Sequence, residues 1–117
     1  MCNISILSIQ RLAGYPETPY EDIFYLSYHE NPIVRTAVAA RAGMEADETA
    51  HILYRLALDP EVGVRMAVIN RGIVPVDIVW MMAADKDLGI KALALKRLGR
   101  TEQYEACLEQ LGTPVAR

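Results

Sequence analysis

Cysteine, histidine and aromatic residues are scarce in this chain of 117 residues, and their scarcity excludes several kinds of site. The two cysteines, Cys2 and Cys107, stand near opposite ends, outside any CxxC or Cys/His cluster that could bind zinc or an iron-sulfur centre. We expect both to be reduced thiols. The sequence also lacks a glycine-rich phosphate loop, a nucleophile elbow and metal-ligand spacing. It therefore predicts neither an enzyme nor a cofactor.

Long apolar runs are missing as well. No stretch approaches the length of a membrane span, and the N-terminus lacks the basic region and small-residue cleavage site of a signal peptide. The net charge of -3 and the pI near 5.3 provide no global positive field for nucleic acid or anionic lipid. We expect a soluble cytoplasmic protein without a membrane partner, and nucleic acid is disfavoured by net charge.

What the chain does contain is aliphatic sequence with a helical character. Hydrophobic residues make up 52% of the chain, which is enough for one continuous core, and aromatics only 7%. The abundance of alanine, leucine, valine and isoleucine favours helices over a β-sandwich. We predict an all-α protein with a single helical-repeat domain over residues 1–117.

Three segments align without gaps and indicate an internal repeat. They begin at Leu26, Leu56 and Met82, so their offsets are 30 and 26 residues, the length of one helix-turn-helix unit. We place the repeats at about 20–45, 46–72 and 73–99, with terminal caps at 1–19 and 100–117. The aligned columns hold β-branched residues, bases, small residues and aromatics. These columns are Val34, Val64 and Ile90; Arg35, Arg65 and Lys91; Arg41, Arg71 and Arg97; Ser27, Ala57 and Ala83; and Phe24, Tyr54 and Trp80.

The repeat predicts eight helices in four pairs. Asn31 before Pro32 and Asp59 before Pro60 are signals of a helix start, and Gly43, Gly72 and Gly99 are expected to stop helices. The last helix is expected to form a polar cap around a stripe of Tyr104, Leu108 and Leu111. The predicted helices cover 4–13, 20–28, 33–42, 47–58, 62–71, 75–84, 88–98 and 101–111.

The segment LALDPEVGVRMAVINRGIVPVDIVWMMAADKDLGIKALAL resembles the leucine-rich repeat variant family and, more distantly, HEAT repeats. Those families share an LAxDPxxxVRxAVA-type signature, often with an Asn and a Pro a few residues later, as at Asn70 and Pro75. The likeness covers roughly residues 20–100, with a spacing nearer to HEAT. It implies a right-handed α-α superhelix in which the second element of each unit is α or 3₁₀. Such repeats serve many partners, so the resemblance specifies fold more than function.

Two sets of side chains are candidates for function. The basic column, paired with His29, Asp59 and Asp85, forms either a ladder between repeats or a stripe that binds phosphates or an acidic helix. The Arg41, Arg71 and Arg97 column is expected to cap carbonyls at the ends of its own helices. His51, with Glu48 and Arg55 at helical spacing, is interpreted as part of a surface charge network. The predicted basic stripe comprises Arg35, Arg65, Lys91, Lys96 and Arg97.

The second set lies on the side wall formed by the second helix of each pair. Helical angles measured from Val79 place Val76 in the core arc, Trp80 at its edge and Met81 outside it. Exposed methionine and aromatic residues favour protein partners, although the aromatic column could also fill gaps between helices. The residues predicted to bind a partner are Tyr25, Tyr54, Trp80, Met81 and Arg55.

These features predict a bacterial protein-binding adaptor, inhibitor or immunity-type factor without catalytic activity. The alternatives are nucleic-acid binding through the basic C-terminal half, where residues 86–100 hold five bases against one acid, and homo-oligomerisation around Trp80 and Met81. The sequence leaves the oligomeric state open.

Overall fold

The computed structural model describes residues 6–15, 17–41, 44 and 47–112, and these residues form eight α-helices and no strand. The predictions of an all-α fold and of eight helices are confirmed, and every predicted helix is present with its ends within three residues of the predicted ones. The helices are α1 (Ile6–Gly14), α2 (Tyr20–Leu26), α3 (Pro32–Ala39), α4 (Asp47–Leu56), α5 (Val62–Ile69), α6 (Val76–Met82), α7 (Leu88–Arg97) and α8 (Thr101–Gln110).

The helices group into two compact units, residues 1–71 and 72–117. In the first unit, α1 packs on α3 and α3 packs on α5, while α2 and α4 join them from the side. In the second unit, α7 packs against both α6 and α8. The boundary falls at the predicted end of the repeat at 46–72. The expectation of one repeat domain over the whole chain stays a prediction. No helix in the described ranges is long and apolar enough to cross a membrane.

The aligned apolar columns form the core. Val34, Val64 and Ile90 are each the third residue of their helix, and all three are completely buried. A second column from the other helices, Ile23, Leu53 and Val79, is also buried. The β-branched column suits this position because its stiff side chains lose little rotamer freedom on packing. The repeat found in the sequence therefore corresponds to repeated packing positions in the structure.

The turn before each of α3, α5 and α7 is closed in the same way. The side chain of His29 accepts a hydrogen bond from the backbone N–H of Asn31 at 3.0 Å. Asp59 accepts from the Glu61 N–H at 2.9 Å, and Asp85 accepts from the Asp87 N–H at 2.8 Å. A side chain that bonds the backbone two residues later fixes the chain in a tight turn. Asp59 was expected to be an N-cap; instead it closes the turn before the cap residue.

The residues that do occupy the N-cap positions are Asn31, Glu61 and Asp87. Asn31 accepts from the Ile33 N–H at 2.9 Å, and Asp87 accepts from the Ile90 N–H at 3.0 Å. Glu61 makes no capping hydrogen bond with its side chain, because its longer chain suits this position poorly. Pro32 is the first helical residue of α3, as predicted.

The three expected stop glycines have different outcomes. Gly99 has φ of +74° and follows the last turn of α7, where its N–H bonds the Lys96 carbonyl and the Arg100 N–H bonds the Leu95 carbonyl. This is a Schellman ending, so the prediction for Gly99 is confirmed. Gly72 lacks a positive φ and lies beyond the C-cap residue Asn70, so its predicted role was wrong. Gly43 lies outside the described residues.

The last helix differs from its prediction in one respect. Glu102, Gln103, Glu109 and Gln110 are exposed, as a polar outer face requires. Among the described side chains of α8, however, the buried one is Cys107, a free thiol packed with Ala92 and Leu95 of α7. Leu111 is exposed, because α8 ends at Gln110 and Leu111 belongs to the following turn. The side chain of Tyr104 and all of Cys2 lie outside the described parts.

The N-cap column provides a test of the repeat with a matched control. Asn31→Ala and Asp87→Ala are each expected to lower the free energy of unfolding by about 1 kcal/mol, because each removes the acceptor of a capping hydrogen bond. Glu61→Ala, at the equivalent position without such a bond, is expected to change it by less than about 0.5 kcal/mol. Urea denaturation followed by circular dichroism measures the difference. Equal effects in all three variants would contradict this account of the caps.

Candidate functional site

The two arginines of the predicted basic column in the first unit serve the fold. Arg35 forms a bidentate pair with Asp59 of the next repeat, with its Nε 2.8 Å from Oδ2 and its terminal nitrogen 3.2 Å from Oδ1. Both side chains are largely buried, with 13% and 7% of their surface exposed. The same guanidinium donates to the carbonyls of His29 and Glu30 at 2.8 and 3.0 Å. The ladder between repeats is therefore present at this pair.

Arg65 repeats the conformation of Arg35 one repeat later. It is buried and donates to the carbonyls of Asp59 and Pro60, which are six and five residues before it. Arg35 likewise bonds the carbonyls of the residues six and five positions before it in the sequence. A planar guanidinium can satisfy several carbonyls at once, which a lysine cannot do in the same geometry. Both guanidinium groups are therefore used in hydrogen bonds within the first unit.

The second arginine column connects successive repeats. Arg71 is buried and donates to the carbonyl of Ala39, the last residue of α3, at 2.7 Å, and to the carbonyl of Arg41 just beyond it. Arg41 donates to the carbonyls of Tyr15, at 2.9 Å, and Thr18, at 3.2 Å, beyond the end of α1. We expected these residues to cap their own helices. They bond the preceding helix end instead, because a long side chain that leaves the end of one helix reaches its packed neighbour.

The remaining members of the predicted basic stripe lie on α7 in the second unit. Lys91 is half-buried, whereas Lys96 and Arg97 are exposed at the last turn of the helix. Cations at this end of a helix stabilise it through the helix dipole. The stripe thus divides into two arginines used inside the first unit and lysine and arginine side chains at the surface of the second. Phosphate binding by the stripe stays a prediction.

The outward faces of α2 and α4 carry exposed aromatic residues. Tyr25 is 73% exposed and lies opposite the buried Ile23 and Ser27 of α2. Phe24 is half-buried at the centre of this group. The distances from its ring centroid to those of its neighbours are 5.3 Å for Tyr28, 5.9 Å for Tyr25, 6.3 Å for Tyr20 and 6.4 Å for His51. Tyr54 is 48% exposed on the face of α4 that His51 shares. We call this group the aromatic surface: Tyr20, Phe24, Tyr25, Tyr28, His51 and Tyr54.

His51 belongs to the aromatic surface, and its predicted charge network with Glu48 and Arg55 stays a prediction. Its Nε2 hydrogen-bonds with the Tyr20 hydroxyl at 3.0 Å, and the two ring centroids are 6.1 Å apart. Arg55 is bonded elsewhere, and the side chain of Glu48 lies outside the described parts. Helical spacing placed His51 and Arg55 together correctly, but it gave no information about Tyr20, which is 31 residues away in sequence.

Arg55, a predicted partner-binding residue, is bonded within the first unit. It donates to the carbonyl of Ser27 at 3.2 Å and to the Ser27 hydroxyl oxygen. Its guanidinium carbon lies 3.6 Å from the centroid of the Tyr28 ring, a cation-π contact. Arg55 therefore connects α4 to the end of α2 and holds one tyrosine of the aromatic surface in place.

Trp80 and Met81 of α6 differ from their predicted exposure. Trp80, placed at the edge of the core arc, is 50% exposed, with Arg100 5.1 Å from its ring centroid. Met81 was expected to be exposed but is half-buried, and Val76 was expected in the core but is 65% exposed. The helix is rotated by roughly 50° from the predicted orientation, at 100° per residue. Ile78 and Met82, one turn apart, are buried together with Val79.

No group of three or more His, Cys, Asp and Glu residues in the described ranges is placed to hold a metal ion. No protein-family model, curated protein or solved structure matches the chain. The resemblance to leucine-rich repeat variant and HEAT repeats consequently depends on the aligned residues alone.

The Arg35–Asp59 pair leads to a stability prediction. Asp59→Ala is expected to lower the free energy of unfolding by about 3 kcal/mol, because it leaves the guanidinium of Arg35 buried without its counter-charge. The double variant Arg35→Met with Asp59→Leu is expected to recover part of this loss, since it removes both charges. Chemical denaturation measures all of these values. Glu30→Ala, which removes an exposed carboxylate nearby, is the control, and a loss as large as that of Asp59→Ala would show that net charge is responsible.

Proposed function

We propose that this protein is a short right-handed α-solenoid of HEAT-like repeats that binds a protein partner through the aromatic surface and catalyses no reaction. It would act as an adaptor, an inhibitor or an immunity-type factor. The observation that supports this proposal best is the exposure of four tyrosines on α2, in the turn after it and on α4, at 42% to 73% of their surface. The repeated packing columns and the repeated turn before α3, α5 and α7 support the solenoid.

Tyrosine is well suited to protein recognition. It buries a large apolar ring, loses only two side-chain torsions on binding and keeps a hydroxyl for a hydrogen bond. Phe24, His51 and Arg55 contact Tyr20, Tyr25 or Tyr28 and so limit the freedom of these rings before a partner arrives. A surface ordered in advance costs less conformational entropy on binding. Monomeric proteins rarely group exposed aromatic residues without an interaction.

Nucleic-acid binding is the second candidate. It is supported by Lys96 and Arg97 at the end of α7 and by Arg100 beside the exposed ring of Trp80, since cations and an aromatic face together can bind single strands. The arginines of the first unit add little to this surface, because Arg35 and Arg65 donate to carbonyls and to Asp59. A protein partner therefore remains the proposal.

The test is the affinity for a purified partner first identified by co-purification from the native host. Tyr25→Ala and Tyr54→Ala are each expected to weaken binding at least about tenfold, because aromatic anchors at the centre of an interface contribute most of its energy. Tyr15→Ala is the matched control, since Tyr15 is 55% exposed but lies after α1 and outside the aromatic surface. Calorimetry measures all three variants.

Two results would overturn the proposal. One is an affinity for the partner that Tyr25→Ala and Tyr54→Ala leave unchanged. The other is retention of nucleic acid alone, falling steeply with salt and abolished by charge reversal at Lys96 and Arg97, which would favour the second candidate.

A further inference from the structure

We propose that a hollow between α1 and α2 binds an arginine side chain of the partner protein. This inference depends on the proposed function and specifies the chemistry of the partner at one edge of the aromatic surface. The hollow has a volume of about 310 Å³ and is lined by Leu12, Thr18, Asp22, Tyr25 and Leu26. This volume is at the lower end of the range for ligand sites, so it suits one long side chain better than a cofactor.

The lining offers each part of an arginine a suitable contact. Leu12 and Leu26 provide apolar walls for the aliphatic stem. Asp22 provides an exposed carboxylate for the guanidinium, and Tyr25 provides an aromatic face. A planar guanidinium binds a carboxylate and an aromatic ring together better than a lysine ammonium does. It can form paired hydrogen bonds with the carboxylate while it stacks on the ring.

Asp22 is available to an incoming cation. Its side chain is exposed, and no described residue donates a hydrogen bond to its carboxylate. The nearest arginines do not line this hollow: Arg11 and Arg41 line a separate one between α1 and α3. Glu17 in the preceding loop and Glu21 in the first turn of α2, which are also exposed, add negative charge near Asp22 in the chain. The local charge therefore complements a cationic partner.

The frame of the hollow is ordered by hydrogen bonds. The Thr18 hydroxyl donates to the Leu12 carbonyl at 2.6 Å, which closes the loop between α1 and α2. Arg41 bonds the Thr18 and Tyr15 carbonyls from behind that loop. Because Arg41 satisfies backbone carbonyls there, its charge is used in the loop and not in the hollow.

This protein already makes both of the proposed contacts with its own arginines. Arg35 pairs with Asp59 through two nitrogens, and Arg55 stacks on Tyr28 with its guanidinium carbon 3.6 Å from the ring centroid. The hollow presents the same two groups, a carboxylate and a tyrosine ring, without an arginine. The geometry therefore favours an arginine supplied from outside.

The probe is N-acetyl-arginine amide, with N-acetyl-lysine amide and N-acetyl-leucine amide as comparisons. Titration of the isotope-labelled protein, followed by nuclear magnetic resonance, is expected to shift the backbone signals of Thr18, Asp22, Tyr25 and Leu26 in a saturable way. The lysine amide is expected to bind more weakly, and the leucine amide is expected to leave these signals unchanged.

Two pairs of variants separate the proposed contacts from general electrostatics. Asp22→Asn is expected to weaken binding of the arginine amide at least about tenfold, because it removes a charge-assisted pair. Glu21→Gln removes the same charge from the same helical turn but outside the hollow, and its effect is expected to stay within about twofold. Tyr25→Leu is expected to weaken binding about fivefold, whereas Tyr25→Phe keeps the aromatic face and stays within about twofold.

Each contrary result has a definite meaning. Equal losses in Asp22→Asn and Glu21→Gln, or binding of the leucine amide, would overturn the arginine site. The proposed function would still be tested by Tyr54→Ala, which lies outside the hollow. Light scattering that showed a dimer of the wild type, dissociated by Asp22→Asn, would assign the hollow to a basic side chain of a second copy and would also overturn the proposal.

Discussion

The bonding of arginine side chains to backbone carbonyls is the constraint on which the first unit depends. Its five helices contain only 7 to 10 residues each, so a large part of their backbone lies in end turns that lack helical partners. Arg35, Arg41, Arg55, Arg65 and Arg71 all donate to carbonyls in or next to these turns. Each buried carbonyl left without a partner would cost about 1–3 kcal/mol. Short helices thus require many long donor side chains, and arginine supplies them.

Most of the fold could be predicted from the sequence because the repeat supplied several independent signals for each helix. Val34, Val64 and Ile90 aligned in sequence and are equally buried, and Asn31 with Pro32 started α3 as expected. Predictions failed where a contact spans two repeats or where a short helix can rotate. The direction of Arg71 depends on where α3 ends, and the rotation of α6 depends on the helix that it packs against, α7. Periodicity over seven residues does not distinguish these possibilities.

The candidate site was predicted only in part, for a related reason. The sequence pointed to Tyr25 and Tyr54, because helical angles and the aromatic column identify them without knowledge of the neighbouring helix. Tyr20, Tyr28 and His51 were missed as members of the same surface. The four-residue spacing of Tyr20, Phe24 and Tyr28 could have indicated their common face, whereas His51 meets Tyr20 only when α2 and α4 lie side by side. Arg55 was predicted as a partner-binding residue, and its side chain instead bonds Ser27. One signal could have shown that Arg55 bonds within the unit. The small residue Ser27 leaves room for a long side chain from α4.

The use of arginine inside the first unit also determines what its surface can attract. Residues 1–71 contain nine acids and six bases, and five of those bases are the arginines that donate to backbone carbonyls. Among the described side chains of this unit, Arg11 is the one exposed cation, and the outer face of α2 carries the exposed acids Glu21 and Asp22 beside its aromatic residues. The basic column counted in the sequence therefore does not describe the charge of this face. The hydrogen-bonding capacity of helix ends, and not the number of charges, decides which residues of a repeat are left for a partner.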